Sequence, residues 1–140
     1  FKKMDKDATL VIGGSGHITA NLKDFVEMLG IDDQVIFAGY IPDEELGDYY
    51  SVADVFVSPS LSEPFGLTIT EAISCGTPVV ATENGAKEIL PDEAVISVEQ
   101  NSDSIAEGIR RSLEVEGFEV NISRTWDQVA DELIKIYEEV

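Results

Sequence analysis

The stretch Ser62-Glu63-Pro64-Phe65-Gly66-Leu67-Thr68-Ile69-Thr70-Glu71 sets two carboxylates, Glu63 and Glu71, on either side of a Pro-Phe-Gly turn. The turn is expected to open a helix, whose first backbone N–H groups have no intrahelical acceptor. Those groups and the helix dipole attract a phosphate or a hydroxyl-rich anion, with a charge contribution of roughly 0.3–1 kcal/mol. Glu71 falls about one turn or more inside that helix. Buried there, its charge would be costly unless its oxygens accept hydrogen bonds, and the paired hydroxyls of a ribose are suitable donors. The chemistry points to a nucleotide-like ligand.

Other candidates carry less. Gly13-Gly14-Ser15-Gly16 does not complete a dinucleotide fingerprint, because G-x-G-x-x-G counted from Gly14 meets Thr19 where the last glycine belongs. No phosphate loop of the G-x-x-x-x-G-K-S/T type occurs, and tight strand-to-helix turns use glycine in any case. Asp5-Lys6-Asp7 has the D-x-D form that chelates a metal–diphosphate, but it precedes a strand and so belongs at the wrong end of a sheet; it reads as a solvated turn. His17 has no carboxylate or hydroxyl beside it in sequence to form a relay and reads as a polar loop residue. Cys75 reads as a buried, inert thiol, and Trp126 as core or interface packing. The metal reading is none.

These residues need a scaffold, and the chain supplies an alternating one. Ala8–Ile12, Gln34–Ala38, Val55–Ser58, Val79–Ala81 and Ala94–Val98 are short apolar runs of strand length. Between and after them come helices predicted over Thr19–Leu29, from a capping Asp43 onward, Leu67–Cys75, Ala86–Leu90, Ser102–Leu113 and Thr125–Glu139. Leu22, Phe25, Val26 and Leu29 share one face of the first. Thr125 and Gln128 have the spacing of a capping box, and Trp126, Val129, Leu133 and Tyr137 share one face of the last. Strands alternating with helices predict an α/β fold, a doubly wound parallel sheet covered on both faces. Ligands bind such sheets outside the carboxyl ends of the strands, which directs attention to Gly13–His17, Gly39–Pro42, Pro59–Gly66 and Thr82–Lys87.

Composition removes whole classes of function. With 9 basic and 28 acidic residues among 140, the formal charge is −19, so nucleic acid and anionic membrane are excluded as main partners. The acidity has two readings, a solvated, soluble surface or adaptation to high salt, where screening acts over about 3 Å at 1 M. The length suits one domain with a real core, residues 1–140, and 44% apolar residues argue against disorder. A single cysteine excludes a disulfide framework and a multi-cysteine zinc site. No apolar run approaches the roughly 18–20 residues of a membrane span and no signal peptide opens the chain, which predicts a cytoplasmic location. A chain that starts with Phe1 is expected to be part of a longer one.

With those residues in view, a family resemblance emerges. Glu63 to Glu71 resembles the E-x7-E motif of the retaining glycosyltransferases of family 4, which have the GT-B fold. The surrounding VIGGSG, VIFAGYIPDEELGDYY, ADVFVSPSLSEPFGLTITEAISCGTPVVAT, NGAKEIL and SRTWDQVADELIKIY agree across nearly the whole chain. The resemblance implies the C-terminal, nucleotide-sugar-binding half of such an enzyme, with a UDP- or GDP-linked donor and no bound metal or other cofactor. It implies that Glu71 holds the ribose hydroxyls, and that Glu63, the catalytic candidate, meets hydroxyls of the donor sugar. The backbone N–H groups of Phe65, Gly66, Leu67 and Thr68 would touch sugar and phosphate. Tyr40 and Ile41 would contact the base edge through main chain, and Gly14 and Gly16 would let the chain pass close to the donor.

The resemblance also implies what is not in these residues: an N-terminal acceptor domain, and a first strand–helix unit bearing an Arg and a Lys that clamp the diphosphate. In the order 3-2-1-4-5-6 that first strand is central. Ala8–Ile12 and Val55–Ser58 would then flank an empty slot, closed by rearrangement or by self-association through open sheet edges. Alternatives are a GT-B epimerase or phosphorylase, and a non-catalytic module that binds nucleotide sugars.

Overall fold

The computed structural model describes residues 1, 4, 7–61, 66–82, 94–115, 117–118 and 125–138. Among the described residues, five strands and five α-helices follow in the order β1 (Leu10–Gly13), α1 (Thr19–Leu29), β2 (Val35–Gly39), α2 (Asp43–Val52), β3 (Phe56–Ser58), α3 (Leu67–Ser74), β4 (Val79–Thr82), β5 (Val95–Val98), α4 (Ser102–Ser112) and α5 (Trp126–Glu138), with a 3-10 turn at Asp32–Gln34. The helix expected at Ala86–Leu90 lies outside the described residues.

All strand pairs are parallel, as the alternation predicts. β1 pairs with β2 (Val11 opposite Ile36), and β3, β4 and β5 follow in order, with Phe56 opposite Val79 and Val79 opposite Val95. Among the described residues these form two sheets, of two and three strands, rather than one. Among the described residues β1 and β3 are not hydrogen-bonded to each other, so the chain does not close its sheet by pairing them.

Burial follows that division. All four residues of β4 are buried, as befits a strand with neighbours on both edges and helices on both faces. Around it pack Tyr50, Ile69, Ala72, Ile73, Ala94 and Val95. The β1–β2 pair departs from the expected double cover. Its register partners Val11 and Ile36 stay 47% and 54% exposed, and between β1 and β2 only Val26 and Ile31 are buried. Among the described residues α1 reaches this pair through Lys23, whose Nζ sits 5.4 Å from the Phe37 ring centre, and a two-stranded sheet has little else to cover its apolar side chains.

The helix ends show which local signals act. Asn101 caps α4, its Oδ1 accepting from the N–H of Asp103 (3.1 Å) and of Ser104 (2.8 Å). The capping box of α5 forms as spaced: Thr125 N–H donates to Gln128 Oε1 (2.9 Å), and Gln128 N–H to Thr125 Oγ1 (3.3 Å). Asp43 does not cap α2. Pro42 holds that position in an extended conformation, its carbonyl accepting from Glu45 (3.0 Å) and Leu46 (3.1 Å), and Asp43 becomes the first helical residue. There its carboxylate, with Glu44 and Glu45, still meets the positive end of the dipole. No residue of α5 is buried, and Trp126, expected in a core or an interface, is 78% exposed. No helix among the described residues is long and apolar enough to cross a membrane.

Candidate functional site

Two of the loops expected to bind ligand meet at the carboxyl ends of β1 and β2. The N–H of Gly14 donates to the carbonyl of Gly39 at 2.6 Å, and Ile41 Cδ1 sits 2.8 Å from where a β-carbon on Gly13 would be. The glycine loop and the Tyr40–Ile41 loop therefore lie against each other. Thr19 closes the first, accepting from Gly16 N–H at Oγ1 and donating its own N–H to the Gly16 carbonyl, both at 3.1 Å. Gly14 has a φ of 94°, and a β-carbon on it or on Gly16 would meet nothing within 4 Å, so the backbone is open to close approach. Tyr40 and His17 are exposed and Ile41 is half-buried.

The third loop delivers α3. Gly66, left-handed at φ 75°, turns the chain into the helix. The first intrahelical bonds run from the N–H groups of Ile69 and Thr70 to the Gly66 carbonyl, both 3.0 Å. The amides of Leu67 and Thr68 come before them and have no intrahelical acceptor, as the sequence requires of a helix start. Both residues are exposed. Glu63 and Phe65 lie outside the described residues.

Glu71 is on α3 but is exposed, not buried. The eight-residue α3 packs on β3 and β4 and buries only Ile69, Ala72 and Ile73, which leaves Glu71 on its open side. The Glu71 carboxylate still has a protein partner, Tyr50, whose Oη donates to its Oε2 at 3.0 Å. Tyr50 itself is in the core, edge-on to Phe56 with ring centroids 5.3 Å apart. Its carbonyl accepts from Thr77 Oγ1 at 2.6 Å. Burial above all pushes the Tyr50 phenol well above its usual range, and the bond to Glu71 and that carboxylate's charge push the same way. It is thus a hydrogen-bond donor at every ordinary pH.

A cavity of about 580 Å³ opens at the carboxyl ends of β3, β4 and β5, lined by Ser60, Leu61, Thr82, Glu99, Gln100 and Ser104 among others. Its walls are fixed by bonds between loops. Thr82 Oγ1 donates to the Ser60 carbonyl (2.5 Å), Gln100 Nε2 to the Pro59 carbonyl (3.2 Å), and Glu99 N–H to Ser104 Oγ (3.0 Å). The sequence pointed to Ser60 and Thr82 but missed the loop after β5. The rule about carboxyl ends, applied to the last strand as well, would have found it. Tyr50 carried no such signal, being 21 residues from Glu71.

Of the remaining candidates, Asp5 and Lys6 lie outside the described residues, and Cys75 is free and half-buried against the core. Among the described residues no cluster of three His, Cys, Asp or Glu is placed to hold a metal.

The sequence profile of the glycosyl transferases group 1 matches residues 1–132. The chain belongs to this family. An uncharacterized glycosyltransferase of Methanocaldococcus jannaschii is 38% identical over 144 aligned positions, covering 94% of this chain and 37% of that protein. Among solved structures, sucrose-phosphate synthase of Thermosynechococcus elongatus superposes with a TM-score of 0.73 at 30% identity, covering 94% of this chain and 37% of that one. Anabaena HepE in complex with UDP-glucose does so with a TM-score of 0.68 at 26% identity, covering 81% and 33%. The fold of this group 1 glycosyl transferase chain is accordingly the α/β fold of GT-B enzymes, and the chain spans about a third of the length of these relatives.

Proposed function

We propose that this chain is the donor-binding half of a retaining, cytoplasmic glycosyltransferase, and that it takes a UDP- or GDP-linked sugar without a metal ion. The observation that carries the reading is the start of α3, where the Leu67 and Thr68 amides precede the first intrahelical bonds and Glu71 follows on the same short helix. Family membership, and a relative at 26% identity that holds UDP-glucose, support the same donor class.

In this reading Glu71 accepts the ribose hydroxyls, and the amides of Phe65, Gly66, Leu67 and Thr68 face sugar and diphosphate. Tyr40 and Ile41 meet the base through main chain, and Gly14 and Gly16 admit the donor to the backbone. Glu63 binds hydroxyls of the sugar at the reacting end. Transfer breaks the bond from the anomeric carbon to the diphosphate oxygen, which leaves with the electron pair. The acceptor oxygen bonds that carbon on the face the diphosphate leaves, and its proton passes to the departing diphosphate oxygen, so the configuration is retained. Amides at a helix start are aimed where negative charge grows on the leaving group, so they stabilise the transition state more than the ground state. The acceptor belongs to a separate N-terminal domain of a longer enzyme, in keeping with a chain that spans a third of its relatives.

The test is titration of the isotope-labelled chain with UDP-glucose, GDP-mannose and ADP-glucose. Saturable shifts at Gly14, Tyr40, Leu67 and Thr68 with the UDP or GDP sugar are expected. No shift with any of the three up to about 10 mM, weaker than the millimolar range of a bare pocket, would overturn the reading.

A further inference from the structure

We propose that Tyr50 is a positioning residue for the donor's ribose, holding one oxygen of Glu71 so that the rest of the carboxylate is presented to the diol. The proposal rests on the reading of Glu71 as the ribose ligand and adds a residue from a different helix.

Glu71 is an exposed glutamate, and such a side chain ordinarily samples many rotamers, all but a few of which would be lost on binding. Here Oε2 is tied to Tyr50 Oη at 3.0 Å. The tether is useful only if its anchor is rigid, and Tyr50 is fixed from several sides. It is 7% exposed and belongs to the same buried cluster as Ile69 and Ile73 of α3. Phe56 stands perpendicular to its ring at 89°. Its main-chain carbonyl accepts from Thr77 Oγ1 (2.6 Å) and from the Ala53 N–H (3.1 Å).

An ionised carboxylate offers about four acceptor sites, of which the phenol occupies one. Both ribose hydroxyls can still be accommodated. A donor on one oxygen also fixes the plane of the group, which two vicinal hydroxyls must match. Affinity then comes from an ordering cost already met in the free protein.

A plain α2–α3 staple would use the same bond, and ribose selectivity separates the two. The experiment measures binding of UDP and GDP, each against its 2′,3′-dideoxy form, to the 140-residue chain and to Tyr50→Phe, Glu71→Ala and the double variant. Tyr50→Phe is expected to weaken UDP or GDP about 3- to 10-fold and leave the dideoxy form unchanged. Glu71→Ala should bring the two forms to equal affinity. The double variant should bind no more weakly than Glu71→Ala, because the phenol acts only through the carboxylate.

Equal weakening of both forms by Tyr50→Phe, or no weakening of either, overturns the proposal. Where Glu71→Ala erases the ribose preference and Tyr50→Phe preserves it, Tyr50 alone is dismissed. Where Glu71→Ala leaves the preference intact, or the wild-type chain shows none, the reading of Glu71 falls as well. Should Tyr50→Phe not fold, the side-chain order of Glu71 in the free wild-type chain decides, ordered upholding the tether and freely rotating overturning it.

Discussion

Gly108 of α4 lies so close to Val98 of β5 that a β-carbon there would fall 2.5 Å from Val98 Cγ1, and 2.9 Å from Cγ1 of Val80 in β4. Neither neighbour can swing aside, since Val80 is fully buried and both belong to paired strands. Alanine favours a helix over glycine by about 1 kcal/mol, but overpacking costs about 1–3 kcal/mol, and here two branched side chains resist at once. Gly108→Ala is expected to lower stability by about 1–2 kcal/mol, read as a lower denaturant midpoint at unchanged m. An unchanged or higher midpoint would show that α4 can lift off the sheet.

For the proposed donor site, Glu71→Ala should weaken binding of bare UDP or GDP at least tenfold, since hydrogen bonds to a charged acceptor contribute roughly 1.5–3 kcal/mol. Glu63→Ala should leave the bare nucleotide unaffected and weaken only the nucleotide sugar. Equal losses of the bare nucleotide in both variants would remove the division of labour between the two carboxylates.

Tyr50 predicts a pH effect of definite sign. Its folded pKa is raised above the unfolded value of about 10, so the folded state keeps the proton longer. The contribution to stability is complete below pH 10 and falls as pH rises beyond it, by at most about 1.4 kcal/mol per unit. Unfolding measured from pH 9 to 11 should steepen in the wild type relative to Tyr50→Phe. Parallel curves would mean that the phenol ionises freely in the folded chain.

Trp126 tests the structure against the sequence. A tryptophan in a core costs about 3–5 kcal/mol when truncated, whereas an exposed one changes stability by less than about 0.5 kcal/mol. At 78% exposure, Trp126→Ala in this chain belongs to the second case. A loss above about 2 kcal/mol in thermal or denaturant unfolding would place its indole in a buried environment.

Why some features are legible in the sequence and others are not is a matter of the range over which each signal acts. The five strands fall within one or two residues of their apolar runs, because a buried parallel strand is nearly all apolar and each ends near glycine, serine or threonine. The box at Thr125 and Gln128 is legible because both partners lie in four consecutive residues. Asp43 misleads because the chain enters the helix one residue earlier, through the extended Pro42, which takes the cap position with no side-chain bond. The exposure of Val11, Ile36 and Trp126 depends on what packs against them, which no local pattern encodes. The backbone positions of Gly14 and Gly66 in turns after strands, and of Leu67 at a helix start, are legible from the loops that hold them. The bond between Tyr50 and Glu71 joins two helices through the core and leaves no periodic trace.

The division of the strands into two sheets has a consequence for how the chain opens. Amide protons of β4, bonded on both edges within a closed core, should exchange only through global unfolding, while those of β1 and β2 can exchange through an opening of their own. Heat absorption should then spread over a wider interval than one cooperative step allows, with a van 't Hoff enthalpy below the calorimetric one. The glycine loop rides on the weaker half and Glu71 on the stronger. A ligand gripping both would sharpen that transition as well as raise it, so the width of the melting curve reports whether the two halves have been joined.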